Sequence, residues 1–328
     1  MTERRTALPA LRTQALRVEY PVPGGGHAAA VRGVSLSVGA NECLGLVGES
    51  GSGKTQLFLA VMGLLPSAAQ VAGSAVFEGE EILGLAADDL NRIRGSKLTM
   101  VFQDPMMSLT PHLKIGAQLA EVLVHHRGAS WRDAQRMALR ALDRVHIPDP
   151  QRRLEQYPHE LSGGMRQRVM IGMSLLCEPA LVIADEPTSA LDVTVQARIL
   201  DLLRELRAET GFSIVLISHD LGVVAGLADR VAVMYAGRVV ESARTADLMR
   251  SARHPYSALL LQCVPDLRQP RTDRMPFVPG QAPGAAEPER GCAFAPRCPR
   301  STERCAHERP ALEDVGAASQ VACHYPLP

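Results

Sequence analysis

The chain has 328 residues, 46% hydrophobic and 21% charged, enough for a full-sized core and about two domains. Lys and Arg number 35 and Asp and Glu 35, so no bulk positive charge is available to hold nucleic acid without regard to sequence, and no nucleic-acid partner is expected. Residues 56–77 carry no charge, but Pro66, Gln70 and Gly73 interrupt them, which fits a buried helix and a strand better than a membrane span.

Met1-Thr2-Glu3-Arg4-Arg5 leads into no apolar run of signal-peptide length, so a cytoplasmic location is expected. Seven cysteines in a reducing compartment point to metal ligation more than to disulfides.

Residues 1–12 read as a loose arm. Alternating apolar and polar residues predict strands over Gln14–Tyr20 and Ala30–Val38, joined by a turn over 21–26. Tyr20 is either a strand aromatic covering the core or a stacking platform for a purine. A short buried strand, Cys43–Val47, then runs into Gly48-Glu49-Ser50-Gly51-Ser52-Gly53-Lys54-Thr55, which fits G-x-x-x-x-G-K-[ST] in full, and a helix follows over 56–62. The glycines let backbone N–H groups turn toward a phosphate, and the new helix adds the positive end of its dipole. Lys54 is expected to reach the β- and γ-phosphates of a nucleoside triphosphate, and the Thr55 hydroxyl to ligate Mg²⁺.

Strands are predicted over Gly73–Phe77 and Lys97–Phe102, the second ending at Gln103. Apolar spacing of three and four over Leu113–His126 and Trp131–Val145 predicts a helical insert, about 106–160, whose last helix starts at Pro148 and Pro150 and stops before Pro158. Ser162 reads as an N-cap, and Gly163 and Gly164 leave the helix amides uncovered, a second place for an anion. The apolar strand Leu181–Ala184 delivers Asp185 and Glu186 at its C-terminal end, the end that faces the ligand crevice in open parallel sheets. Adjacent acids there repel unless a cation lies between them, so Asp185 is expected to hold Mg²⁺ and Glu186 to polarise the attacking water. Gln103, at the end of another strand, is a candidate to contact metal and water and to sense the γ-phosphate, and His219, at a third strand end, to hold the γ-phosphate or help position the water. A helix over Val195–Glu209 and strands over Phe212–Ser218, Arg230–Met234 and Arg238–Glu241 complete an α/β core near residue 250.

The order of these elements resembles the nucleotide-binding subunits of ATP-binding cassette (ABC) transporters across residues 14–250. Gly48–Thr55 is similar to the Walker A loop, Gln103 to the Q-loop and Leu161–Met165 to the signature. Leu181–Glu186 is similar to the Walker B strand, Ser189-Ala190-Leu191-Asp192 to the D-loop, His219 to the switch histidine and Tyr20 to the adenine-stacking aromatic. The resemblance implies an α/β fold: an ABC-type P-loop NTPase core over 13–250 with an antiparallel β subdomain and the helical insert, and a small cysteine-containing extension over 251–328. It implies that ATP and Mg²⁺ are used, and that Ser162, Gly163, Gly164 and Asp192 face ATP held by a second, homologous ATPase subunit, in a heterodimer ahead of a homodimer.

Within that family the chain looks like the D-type ATPase subunit of dipeptide and oligopeptide importers, through the phrases Ser162–Ile171, Ala184–Ala197 and His254-Pro255-Tyr256-Ser257. The implied function is ATP hydrolysis that powers peptide import, at the cytoplasmic face of the membrane, with two transmembrane permease subunits and an extracytoplasmic peptide-binding protein. Residues 103–109 and the insert would receive the permease. Nickel chelates and glutathione remain open as substrates. A soluble, non-transport ABC ATPase is the remaining class, and it usually has two cassettes or coiled-coil inserts.

Beyond Pro265 the chain is proline-rich, and Cys292, Cys298, Cys305 and Cys323 stand five, six and seventeen residues apart. Such a segment scarcely folds on its own core, and four thiols suit a [4Fe–4S] cluster or Zn²⁺. Resemblance to importer subunits carrying a cluster favours iron–sulfur over zinc and over unligated thiols. Cys43, Cys177 and Cys263, in apolar surroundings, are expected to be buried packing residues.

Overall fold

Burial along the first strand, Leu11–Pro21 (β1), alternates but changes phase once: Leu11 and Thr13 point inward, then Leu16 and Val18. The phase change is a β-bulge at Ala15, whose φ is 46°. Gly73 lies opposite at φ 107°, and a Cβ there would stand 2.7 Å from the Ala15 carbonyl oxygen, so only glycine fits beside this bulge. The alternation expected over 14–20 is thus real but interrupted.

A computed structural model describes residues 8–104, 108–189, 191–264, 277–287, 289–316 and 318–328. After β1 come β2 (His27–Val38), β3 (Cys43–Val47), the helix Lys54–Val61, β4 (Gln70–Phe77) and β5 (Glu80–Glu81). The helix Ala87–Ile93 and β6 (Leu98–Val101) precede the helices Ile115–Arg127, Trp131–Arg144, Pro150–Leu154 and Gly163–Leu175. β7 (Leu181–Asp185), the helix Val193–Thr210, β8 (Ser213–Ser218) and the helix Leu221–Ala225 follow, then β9 (Arg230–Tyr235) and β10 (Arg238–Arg244). Helices Thr245–Arg250, Pro255–Gln262 and Glu303–His307, with the two-residue strands β11 (Glu313–Asp314) and β12 (Gln320–Val321), end the chain.

Contacts divide the chain into two units that interleave along the sequence. One takes the described residues of Met1–Ala10 with Val38–Asn41 and Gly84–Leu216. In it the sheet order is β8-β7-β6, with β6 and β7 parallel from Leu98↔Leu181 to Val101↔Ala184. β7 is buried at every position, which explains its unbroken apolar run. The helical insert belongs wholly to this unit: Ile115, Leu119 and Leu123 form one inward stripe, and Ala134, Ala138 and Leu142 another, each at the four-residue spacing of a helix face.

The other unit takes Leu11–Ser37, Glu42–Leu83 and Ile217–Pro328. An antiparallel sheet has the order β2-β1-β4-β5, and a second group of strands has the order β11-β12-β10-β9-β3. β3 pairs with β9 in parallel, Leu44↔Arg230 to Val47↔Val233, which sets the C-terminal end of β3 and the loop that leaves it. β9 and β10 form a hairpin whose turn residues Ala236 and Gly237 both have positive φ, 45° and 80°, the handedness that suits a two-residue turn.

Short elements escape the sequence pattern, among them β5, with two residues, and the helices Ala87–Ile93 and Leu221–Ala225, which are too short for a clear period. The expected arm over 1–12 is overlapped by β1, which begins at Leu11; its residues 1–7 lie outside the described residues, as do Pro265, Pro270, Pro276 and Pro288 of the proline-rich stretch. Cys43 is buried as expected, but Cys177 and Cys263 are only half-buried, each lying just past the C-terminal end of a helix. No helix among the described residues is long and apolar enough to cross a membrane, and residues 56–77 divide between the helix Lys54–Val61 and β4 as expected.

Candidate active site

The phosphate loop is built by close packing around glycine. A Cβ on Gly48 would lie 2.2 Å from the Met234 carbonyl oxygen, and one on Gly53 2.3 Å from that of Ala30. Gly53, at φ 97°, also caps the helix Lys54–Val61 in a conformation that disfavours other residues. Gly51 has φ 79° and open space where a side chain would be, so the loop's outer turn is uncovered. Lys54 is buried, and its Nζ donates to the Gly48 and Glu49 carbonyls at 2.7 and 2.9 Å and to Ser52 Oγ at 3.3 Å. This curls the ammonium back over the loop, where a phosphate would meet both its charge and the helix N-terminus. Thr55 is half-buried. In the same unit Tyr20 donates its hydroxyl hydrogen to Gln56 Oε1, burial raises its pKa, and His219 stands exposed just past β8, before the helix that Asp220 caps.

In the other unit, Asp185 ends β7 with 3% exposure, and Glu186 follows with φ 45°. A glutamate in the left-handed region is strained, and such strain is commonly kept where a side chain must be aimed. Gln103, exposed beyond β6, donates from Nε2 to Glu186 Oε2 at 3.1 Å, so two of the expected site residues meet directly. Carboxylate and amide oxygens, as Asp185 and Gln103 offer, are the hard donors that Mg²⁺ prefers, so the donors of this unit fit that ion. Ser162 accepts the Met165 N–H at 3.3 Å as the N-cap of Gly163–Leu175, and Ser162 and Gly163 are exposed. Gly164 is needed for packing, since a Cβ would come within 2.8 Å of Val195 Cγ1. Asp192 caps Val193–Thr210 by accepting the Val195 N–H at 3.0 Å; Ala190, between Ser189 and Leu191, lies outside the described residues.

Two family descriptions match this chain: "ABC transporter" over residues 31–189 and "Oligopeptide/dipeptide transporter, C-terminal region" over 240–305. The oligopeptide transport ATP-binding protein OppD of Salmonella typhimurium is 47% identical over 317 residues, 97% of this chain and 94% of that protein. The chain belongs to the ABC transporter family. Within this family the dipeptide transport ATP-binding protein DppD of Escherichia coli is 44% identical over 91% of each chain. Among solved structures, a dimeric post-hydrolysis state of the ATP-binding cassette MJ0796 bound to ADP and Pi has a TM-score of 0.64 at 28% identity, covering 72% of this chain and 98% of that one. The cassette fold expected from the motif order is therefore present, and ATP with Mg²⁺ is what an ABC ATPase of this kind uses.

In the C-terminal region the structure gives His254 and Glu241 roles that the sequence motifs do not announce. In His254-Pro255-Tyr256, the His254 imidazole is an N-cap: Nδ1 accepts the Tyr256 N–H at 3.0 Å, with Pro255 at the first helical position. Burial lowers its pKa to about 4, so it is a neutral cap. The buried Glu241 carboxylate on β10 accepts the Arg253 and His254 N–H groups at 2.7 and 2.9 Å, which fixes the chain entering that helix, and burial raises its pKa. A proline directly after a polar residue is the local signal of this helix start.

Cys292, Cys298, Cys305 and Cys323 all border one small cavity together with His254 and Phe294. All four are free thiols, and burial raises the pKa of Cys292, Cys298 and Cys323. Four convergent soft donors suit a thiolate-bound metal by chemistry. They are not drawn together as a cage, since no group of three or more His, Cys, Asp or Glu among the described residues is arranged to hold a metal ion.

Proposed function

We propose that this chain is the ATP-hydrolysing subunit that powers peptide uptake through a membrane ABC transporter. The supporting observation is near-full-length likeness to oligopeptide and dipeptide transport ATP-binding proteins, which extends through the C-terminal region. Lys54 and the loop amides bind the β- and γ-phosphates, Thr55, Asp185 and Gln103 hold Mg²⁺, Glu186 orients the attacking water and His219 reads the γ-phosphate. Mg²⁺ supplies charge neutralisation between the β- and γ-phosphates when bound. Tyr20 serves as the stacking face for adenine. Ser162, Gly163 and Gly164 lie at an exposed helix N-terminus and engage the ATP of a second, related ATPase subunit, with Asp192 alongside. The chain works at the cytoplasmic face with two permease subunits and an extracytoplasmic peptide-binding protein. The permease docks around 103–109, of which 105–107 lie outside the described residues.

Co-purified with its permeases in proteoliposomes, the chain is expected to hydrolyse ATP several-fold faster when peptide-loaded binding protein is added. Stimulation by a loaded nickel-chelate binding protein instead would overturn the peptide assignment.

In this reading Cys292, Cys298, Cys305 and Cys323 would be the thiolate ligands of a [4Fe–4S] cluster, which would cross-link a segment that has little core of its own. Protein purified without oxygen is expected to absorb broadly near about 400 nm, and Cys298→Ser to lose that band. A colourless protein with one zinc ion per chain would replace the cluster by zinc, and a metal-free protein would remove the site.

A further inference from the structure

Glu49 is the one acid in the phosphate loop, and two residues from the C-terminal part of its own unit grip it. Arg297 Nη1 and Nη2 donate to Glu49 Oε2 and Oε1 at 2.9 and 3.0 Å, a two-pronged ion pair. The Tyr256 hydroxyl accepts the Glu49 N–H at 3.0 Å. Arg297 is itself fixed: Nε donates to the Pro279 carbonyl at 2.6 Å, Nη2 to that of Val278 at 3.2 Å, and Nη1 to the Tyr235 hydroxyl at 3.2 Å. Its side chain is 5% exposed and its guanidinium lies 5.7 Å over the Tyr235 ring. Tyr235, Tyr256 and Phe294 pack ring against ring with centroids 4.6–5.3 Å apart, so both gripping residues share one rigid wall.

We propose that Arg297 and Tyr256 are positioning residues of the phosphate loop, holding the Glu49 carboxylate neutralised and aside so that the loop can accept a nucleoside triphosphate. The proposal rests on reading this loop as the nucleotide site. A carboxylate within one loop of a triphosphate opposes binding, by on the order of tenfold or more at the effective dielectric of a protein surface. The guanidinium cancels that charge and, by its fork geometry, fixes which way the carboxylate faces. Tyr256 holds the backbone at the same residue, and Gly48, packed against the Met234 carbonyl, leaves the preceding peptide no room to shift. The loop is therefore set before ligand arrives, which lowers the ordering cost of binding. The C-terminal region thus acts on the nucleotide site as well as carrying thiols.

Equilibrium titration of the purified full chain with a fluorescent ATP analogue and Mg²⁺ tests this. Arg297→Ala is expected to weaken binding about tenfold and Tyr256→Phe about threefold. The double variant Glu49→Gln with Arg297→Ala, which removes the carboxylate the arginine neutralises, is expected to recover to within about threefold of wild type. An Arg297 that merely tethers the C-terminal segment gives no such recovery. Wild-type affinity in Arg297→Ala, or a double variant no better than the single one, overturns the proposal; wild-type affinity in Tyr256→Phe removes Tyr256 from it. Should Arg297→Ala lose its folded circular dichroism, Arg297→Gln, which also removes the charge but keeps a side-chain donor in place, alone and with Glu49→Gln decides by the same comparison. Lys54→Ala in the same titration separates the two readings: if it too binds as wild type, the nucleotide assignment of the loop has failed and not only the clamp.

Discussion

Lys54→Ala leaves ATP hydrolysis by the assembled transporter at about 1% of wild type or less, the scale expected when a charged donor is removed from developing phosphate charge. Hydrolysis spreads negative charge over the γ-phosphoryl oxygens, and a protein matches it with positive groups and hydrogen-bond donors already in place. The Lys54 ammonium is in place: the Gly48 and Glu49 carbonyls and Ser52 Oγ hold it over the loop. The loop does not depend on that ammonium for its shape. Ser52 N–H donates to the Glu49 carbonyl at 3.2 Å, Gly237 N–H donates to the Ser52 carbonyl at 3.0 Å, and Gly48 and Gly53 remain closely packed. The variant is therefore expected to fold normally by circular dichroism while nucleotide affinity falls, and peptide uptake in proteoliposomes falls with it. Full hydrolysis by purified Lys54→Ala complex would remove this residue, and with it the phosphate loop, from the site.

The parts of the molecule legible in the sequence are those whose physics is local. β3 and β7 are buried on both faces, so they read as unbroken apolar runs. The loop and the two acids follow them at the strand ends, where a ligand is met. The cap at Ser162 is readable for the same reason, since a cap reaches only three residues along the chain; the like cap at Asp192 emerges only in the structure. Elements outside that range were not. The bulge at Ala15 breaks the period of β1, and its partner Gly73 lies 58 positions further on, so nothing local announces the pairing. Arg297 stands 248 residues from Glu49, inside a phrase whose cysteines drew the chemical reading, and no spacing rule joins an arginine there to a loop near the other end. Four thiols lining one cavity were legible as a group from composition. Their geometry as free thiols around it was not, because spacing says which residues are available and not how far they are drawn together.

Glu186→Gln is expected to keep ATP binding within a few-fold of wild type and to slow hydrolysis by about 10²–10⁴, the usual contribution of a positioned general base. The exchange preserves size and shape and removes only the ability of the side chain to polarise water as a carboxylate. In the present structure that carboxylate accepts the Gln103 Nε2 hydrogen at 3.1 Å and is aimed by a backbone at φ 45°. A backbone held in a strained conformation does not swing the side chain away when its charge is lost, so the glutamine remains where the glutamate was. On the proposed two-subunit site, ATP that is bound but not cleaved would keep the subunits closed on each other, and the variant incubated with a partner ATPase subunit, ATP and Mg²⁺ should accumulate as an undissociated pair in size-exclusion chromatography. Wild type, which turns ATP over, should dissociate in the same run. Glu186→Gly provides the contrast. It relieves the positive φ, so it should raise thermal stability or leave it unchanged while hydrolysis is lost just as fully. If Glu186→Gln hydrolyses ATP at the wild-type rate, the water is polarised elsewhere, and the strain at residue 186 needs another explanation.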